Sequence, residues 1–387
     1  MENLIPYIKL IILALACLVT GVCTLSRKWY VNLPVFLICI AGETFMAYLF
    51  FPAYALWPAC GSVAIFAFST AWEHLKPSGR KENKSPIRLP VISGVPYRHL
   101  EFYYYYSNFL VYGGAGSGKT KSIGKWLLEE YIRLGFAGFI YDFKDVDYTQ
   151  TAYNLTKKYG YPHKFYYVSF DKPERSYRFN PLKVVKDRTE LMQLMEDVLL
   201  ALLPKGEKQN EWVAGGLGIL RGVAFRFWDE FPEYCTLPHI MAFIMTASTK
   251  QLSIFLQQNL VAEMMAGAYL KAEGSEKTQA SYLSTLCNNL STISQNEEIA
   301  YILSGDDFDF NLIDPEDPKL FAISNNFSKN SVYAPVIGML MSISTRQFTM
   351  QNKVPFVYFL DEMTTVNIKS FESLPSVLRE YKVGFVL

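Results

Sequence analysis

Cysteine and histidine are scarce in this chain of 387 residues, at six and four. Cys17, Cys23, Cys39 and Cys60 lie in apolar stretches, and Cys235 and Cys287 have no Cys or His partner at metal spacing, which argues against a disulfide scaffold or a cysteine-based metal module. Net charge is almost lacking as well, with 37 Lys+Arg against 36 Asp+Glu. That excludes a bulk basic coat for nucleic acid, while a local basic channel fits inside a neutral total. With half of the residues hydrophobic, disorder and collagen are excluded too, and the length suggests two or three domains.

Charge is scarcest at the start: the first 75 residues carry only Glu2, Lys9, Arg27, Lys28, Glu43 and Glu73. Three apolar stretches, 4–25, 33–52 and 53–72, each approach the roughly 20 residues of a membrane-spanning helix. No basic region precedes the first and others follow it, which argues against a cleavable signal. Arg27 and Lys28 fall between the first two stretches, and Lys76, Arg80, Lys81, Lys84 and Arg88 follow the third. With both basic loops inside, three spans and an outer N-terminus are expected; two spans with one stretch lying in the interface are the alternative. Glu43, within the second stretch, is costly there and implies either an interhelical hydrogen bond or a contact with another membrane protein. A membrane-proximal linker is expected over 76–90 (KPSGRKENKSPIRLP). The aromatic run from Phe102 to Tyr106 suits a strand, with base stacking as the alternative.

Residues 113–120 are GGAGSGKT, the pattern G-x-x-x-x-G-K-[ST], between an apolar run at 108–112 and a helix-like segment at 121–134. Gly113, Gly114, Ala115, Gly116, Ser117 and Gly118 would close backbone N–H groups around phosphates, Lys119 would reach the β and γ phosphates, and the Thr120 hydroxyl would ligate Mg²⁺. Lys121, opening the helix, completes the expected ATP-binding set. A second motif, VPFVYFLDE at 354–362, is an apolar run too short for a helix that ends in two carboxylates. There Asp361 is expected to hold Mg²⁺ and Glu362 to act as general base toward water. Lys119 and Asp361 are 242 residues apart, far more than a compact core needs, so an insertion is expected.

Strand-like segments lie at 136–143 and 164–170, and again at 319–324, 354–360 and 382–387. Between them the periodicity is helical. Leu191, Leu194, Met195, Val198 and Leu202 share one face behind a capping box of Asp187 and Glu190, and further helices are expected at 212–228, 237–245, 250–265 and 277–294. The expected fold is α/β: membrane helices (1–75) and the linker (76–90), then a RecA-like P-loop ATPase core (91–182 and 306–387) interrupted by an all-α domain (183–305).

This combination resembles the type IV secretion coupling proteins, the TraG-like ATPases of conjugative DNA transfer. The stretches YDFK (141–144), FNPL (179–182), and 333–346 followed by VPFVYFLDE and LPSVLREYKVGFVL are similar to segments of that family. The resemblance implies a homo-hexamer in the bacterial inner membrane with its ATPase body in the cytoplasm. It would use ATP hydrolysis to deliver single-stranded DNA with its bound relaxase to the secretion channel. A double-stranded DNA segregation translocase and a nucleotide-controlled docking receptor for secreted proteins are the alternatives. The resemblance further implies that the sheet continues beyond Leu387. It also makes Arg379 either an arginine completing a neighbouring subunit's site or a solvated helix-end residue, while Asp142 and Lys144 are either near the nucleotide or a plain strand-end pair.

Overall fold

The computed structural model describes residues 85–91, 99–114, 116–144, 146–203, 210–272, 274–368 and 371–387, with scattered positions between 38 and 64. It divides into two compact units, Met1–Lys84 and Ser85–Leu387. In the first, the described positions between 38 and 49 are helical, and Ile38, Phe45, Tyr48 and Leu49 are exposed. Among the described residues no helix is long and apolar enough to cross a membrane. Glu43, the stretch 4–25, positions 33–37, 46, 50 and 51 of the second stretch and most of 53–72 lie outside the described residues.

The second unit opens with a small antiparallel pair, β1 (Ile87–Pro90) and β2 (His99–Phe102). β1 thus falls within the segment expected to be linker. The aromatic run also departs from expectation. The strand ends at Phe102, and the chain turns, with Ser107 N–H donating to the Tyr104 carbonyl at 3.1 Å; buried Tyr105 instead packs edge-on against Phe136 at 5.7 Å. Local aromatic preference for strands yields here to a tertiary contact.

The main sheet comprises β3 (Ala137–Asp142), β4 (Lys164–Ser169), β5 (Lys319–Ser324), β6 (Phe356–Leu360) and β7 (Val383–Val386). Their order is β4-β5-β3-β6-β7, and every neighbouring pair is parallel. Phe109 and Val111, just before the glycine loop, pair beside β7: their N–H groups donate to the Phe385 and Leu387 carbonyls, each at 2.8 Å. Parallel strands covered on both faces are apolar throughout, which is why β3, AGFIYD, is buried at every position.

Alternate side chains along the strands serve two cores. One face carries Ile140, Ala322, Val357 and Phe359 and packs on α1 (Lys125–Arg133) and α2 (Asp147–Tyr159). The opposite face carries Phe139, Phe321, Tyr358 and Phe385. Their rings form a row across four strands, with centroids 5.1 Å (Phe139–Phe321), 5.8 Å (Phe139–Tyr358) and 5.0 Å (Tyr358–Phe385) apart. Each such pair contributes about 0.5–1.5 kcal/mol beyond its area burial.

That second core continues without a break into helices. Between β4 and β5 come α3 (Arg188–Leu202), α4 (Glu211–Glu230), α5 (Leu237–Thr246), α6 (Thr249–Gln257), α7 (Leu260–Met265), α8 (Gly267–Lys271), α9 (Glu276–Ser294) and α10 (Glu297–Leu303). After β5, α11 (Asn330–Thr345) packs against α3, and a one-turn α12 (Leu374–Val377) precedes β7. The single helix expected over 250–265 is two, because the Asn259 side chain accepts the Val261 and Ala262 N–H groups and starts a new helix there. The expected box at α3 is half present: Asp187 Oδ1 accepts from Glu190 N–H at 2.9 Å, but Glu190 returns its bond to Lys186 N–H. The Asn180 of FNPL is structural, accepting from Leu182 N–H at 3.0 Å and donating to the Cys235 carbonyl at 2.7 Å.

Candidate functional site

Parallel strands bring all their C-terminal ends to one edge of the sheet, where α/β proteins place ligand sites. The glycine loop follows Phe109–Val111 at that edge, Asp142 and Lys144 follow β3, and Asp361 and Glu362 follow β6. Gly116 (φ 75°) and Gly118 (φ 83°) are left-handed, a conformation that favours glycine, and nothing lies within 4 Å of where a Cβ would stand on Gly114 or Gly116. Lys119 Nζ donates to the Gly113 carbonyl at 2.5 Å, folding back over its own loop. Ala115 lies outside the described residues.

The helix after the loop starts as a wide π turn, Thr120–Gly124, before α1 takes over. No side chain caps it; the Ser122 N–H goes to the Gly118 carbonyl at 2.8 Å, and the Thr120 and Lys121 N–H groups remain for another acceptor. Thr120 is half-buried at its start and Lys121 is exposed. Tyr148, buried on α2, lies with its hydroxyl against Thr120 and over Gly124, where any side chain would collide with it; its ring packs on Phe359 at 4.8 Å.

Asp361 follows directly on β6, its N–H donating to the Tyr141 carbonyl at 3.0 Å. Its Oδ2 is buried and has no hydrogen-bond partner among the described residues. Burial pushes the Asp361 carboxyl up to about 6; the Lys144 ammonium opposes this, and the negative charges of Asp142, Glu362 and Asp147 add to it. Asp142 is fully buried and likewise raised, chiefly by desolvation, and its Oδ2 accepts the Thr149 N–H at 2.8 Å. Lys144 pairs with Glu362 at 3.6 Å across the gap between β3 and β6. The Thr120 hydroxyl, bonded to that of Tyr148, and the unpartnered buried oxygen of Asp361, whose charge acts on the same phenol, are donors that suit a hard divalent cation, which would restore the ionised carboxylate.

Over residues 78–387 the chain matches the family model described as type IV secretory system conjugative DNA transfer. The chain belongs to this family. A search of curated proteins by sequence gives no match. Among solved structures, the bacterial conjugative coupling protein TrwBΔN70 in an unbound form is 17% identical with a TM-score of 0.57, over 78% of this chain and 67% of that one. The plasmid coupling protein TrwB in complex with ADP and Mg²⁺ is 17% identical with a TM-score of 0.56, over 80% of this chain and 70% of its own. TrwB with a non-hydrolysable ATP analogue gives the same identity and TM-score over 81% and 71%. At these identities the likeness is one of fold.

Within this conjugative DNA-transfer fold, Arg379 sits in a 3₁₀ turn, Leu378–Tyr381, just before β7. It is exposed and makes no ion pair with any of the described residues. The structure thus brings the loop, Asp361, Glu362, Asp142 and Lys144 to one edge and leaves Arg379 facing solvent. Sequence reasoning missed Tyr148, Asn325 and Thr365 at this edge. Asn325 and Thr365 carry a weak signal, since each is a polar residue within a few positions of a buried strand's end.

Proposed function

We propose that the protein is an inner-membrane, P-loop ATPase that drives conjugative transfer, delivering single-stranded DNA with its relaxase to a type IV secretion channel as a homo-hexamer. The observation carrying the hydrolytic part is the meeting, at one sheet edge, of an uncapped glycine-loop helix and the unpartnered buried oxygen of Asp361. The TrwB complexes with ADP and Mg²⁺ and with an ATP analogue support the same ligands here. The charge-poor first 75 residues and the exposed apolar side chains of Ile38, Phe45, Tyr48 and Leu49 support anchoring in lipid, with residues 85–387 in the cytoplasm.

The loop N–H groups bind the phosphates, and Lys119 exchanges the Gly113 carbonyl for the β and γ phosphate oxygens. The Thr120 hydroxyl and Asp361 would hold Mg²⁺, which when bound would supply charge neutralisation at the phosphates. Glu362 takes a proton from water as its oxygen attacks the γ phosphorus; the bond to the β–γ bridging oxygen breaks and ADP leaves. Arg379, exposed and without an ion partner among the described residues, would complete the site of a neighbouring subunit.

The test is ATP hydrolysis by the full chain in detergent, with single-stranded DNA, duplex DNA or relaxase added in turn. Stimulation by single-stranded DNA or its relaxase complex is expected. Stimulation by duplex alone would point to a segregation translocase, and nucleotide-dependent assembly without hydrolysis to a docking receptor.

A further inference from the structure

Glu362 and Lys382 are the non-glycine residues with positive φ among the described residues, and Glu362 sits at φ 48°, ψ 48°. Such a conformation costs on the order of 1 kcal/mol or more and persists only where the surroundings impose it. Here they act through the Glu362 carbonyl, which accepts the Thr365 N–H at 2.9 Å and the Thr365 hydroxyl at 2.7 Å. A carbonyl only accepts, so the Thr365 hydroxyl proton is committed to it. The Tyr141 hydroxyl, 2.7 Å from Thr365 Oγ1, must therefore donate to Thr365. Its own oxygen accepts a hydrogen bond from Asn325 Nδ2 at 2.8 Å. Asn325 is oriented in turn, with Nδ2 donating to Asn330 Oδ1 at 2.8 Å and Oδ1 accepting the Asn326 N–H at 2.8 Å. From Asn325, whose amide donates also to Asn330 at the start of α11, the bonds run one way through Tyr141 on β3 and Thr365 to the Glu362 carbonyl, two residues past β6. Tyr141 is fully buried and Asn325 is 2% exposed, so water offers little substitute at the bond between them and the low dielectric strengthens it, while the last bond, from Thr365 to the Glu362 carbonyl, lies at the surface.

We infer that Asn325, Tyr141 and Thr365 are positioning residues for Glu362, fixing the peptide that aims its carboxylate beyond the end of β6. The inference rests on the hydrolytic reading above. None of the three belongs to the phosphate cradle, so loss of the chain lowers turnover and leaves nucleotide affinity in place. It also couples Glu362 to α11, so that a shift of α11 reaches the carboxylate.

The experiment compares the full-chain variants Thr365→Val, which keeps shape and loses the donor, Thr365→Ser, which keeps the donor, and Tyr141→Phe. Valine and phenylalanine variants are expected to lose kcat by about tenfold, as for an ill-placed general base, with the Kd for a non-hydrolysable ATP analogue unchanged. The serine variant is expected to match wild type, and the double variant Tyr141→Phe/Thr365→Val to be no worse than Thr365→Val alone, because the two act in one chain. Wild-type kcat in both Thr365→Val and Tyr141→Phe overturns the inference, as does an equal loss in Thr365→Ser. A second arm does not depend on turnover: the experimental structure of Thr365→Val should show Glu362 outside the left-handed region, and its retention there overturns the inference. A wild-type chain that binds ATP without hydrolysing it contradicts the hydrolytic reading instead, and the second arm then decides the positioning.

Discussion

Six of the eight helices described between β4 and β5 begin differently from the helix behind the glycine loop; α8 and α9 share its lack of a side-chain cap. α3, α4, α5, α6, α7 and α10 each start under a side chain that accepts a first-turn N–H: Asp187, Asn210, Thr236, Ser248, Asn259 and Asn296. Even α2, whose N-cap position is Val146, has its Thr149 N–H taken by Asp142 reaching over from β3. The turn at Thr120–Gly124 has no such side chain. A helix whose donors are satisfied internally contributes stability and nothing else at that end; one whose donors are left over keeps them for an anion. The carboxylates repeat the contrast. Asp187 is spent on a cap, whereas Asp361 keeps a buried oxygen without a partner among the described residues.

Predictions that sharpen this contrast descend in size. Glu362→Gln should retain ATP binding and lose hydrolysis by on the order of 10² or more, as for loss of a general base. Loss of binding in that variant would mean that the two carboxylates have exchanged roles. On the helical side, Asn210→Ala removes the bond to Val213 N–H, 3.0 Å long, and should cost about 1 kcal/mol of stability. Urea unfolding checks this, and hydrolysis per folded molecule should not change; a fall in turnover at full folding would break the comparison.

The smallest effect concerns Asp361 in the absence of nucleotide. Its carboxyl is raised from 3.8 to about 6, so the folded state holds the proton more tightly and stability falls as pH rises through that window. Asp361→Asn removes this penalty. The variant should melt above wild type at pH 8, by about 1 kcal/mol at most for a half-exposed group, and the gain should vanish near pH 4. Thermal scans at the two pH values decide, and a variant less stable than wild type at pH 8 contradicts the assigned burial cost.

Much of the fold is legible in the sequence because strands covered on both faces leave unbroken apolar runs. FVYFL and AGFIYD announce themselves without neighbours. The glycine loop is legible for a similar reason, since left-handed backbone at Gly116 and Gly118 demands a residue type that sequence displays directly. What the sequence hides is pairing over distance. Tyr141 meets Asn325 and Thr365, 184 and 224 residues away, and no local pattern marks those contacts. The break at Asn259 was hidden differently: the apolar spacing over 250–265 runs straight through it, and a single side-chain cap decides against continuity. Lys144, one half of an ambiguous strand-end pair in sequence, acquires its partner Glu362 only when β3 and β6 lie side by side.

The central claim is that the uncapped turn and Lys119 form a phosphate site separable from the stability of the fold. The most direct measurement is the equilibrium affinity of the full chain for a fluorescent ATP analogue with Mg²⁺, wild type against Lys119→Ala, with melting temperatures recorded alongside. The account predicts binding by wild type, a loss on the order of 10²-fold in the variant from removal of charge-assisted bonds to phosphate, and unchanged melting. Equal affinity in the two proteins would contradict it.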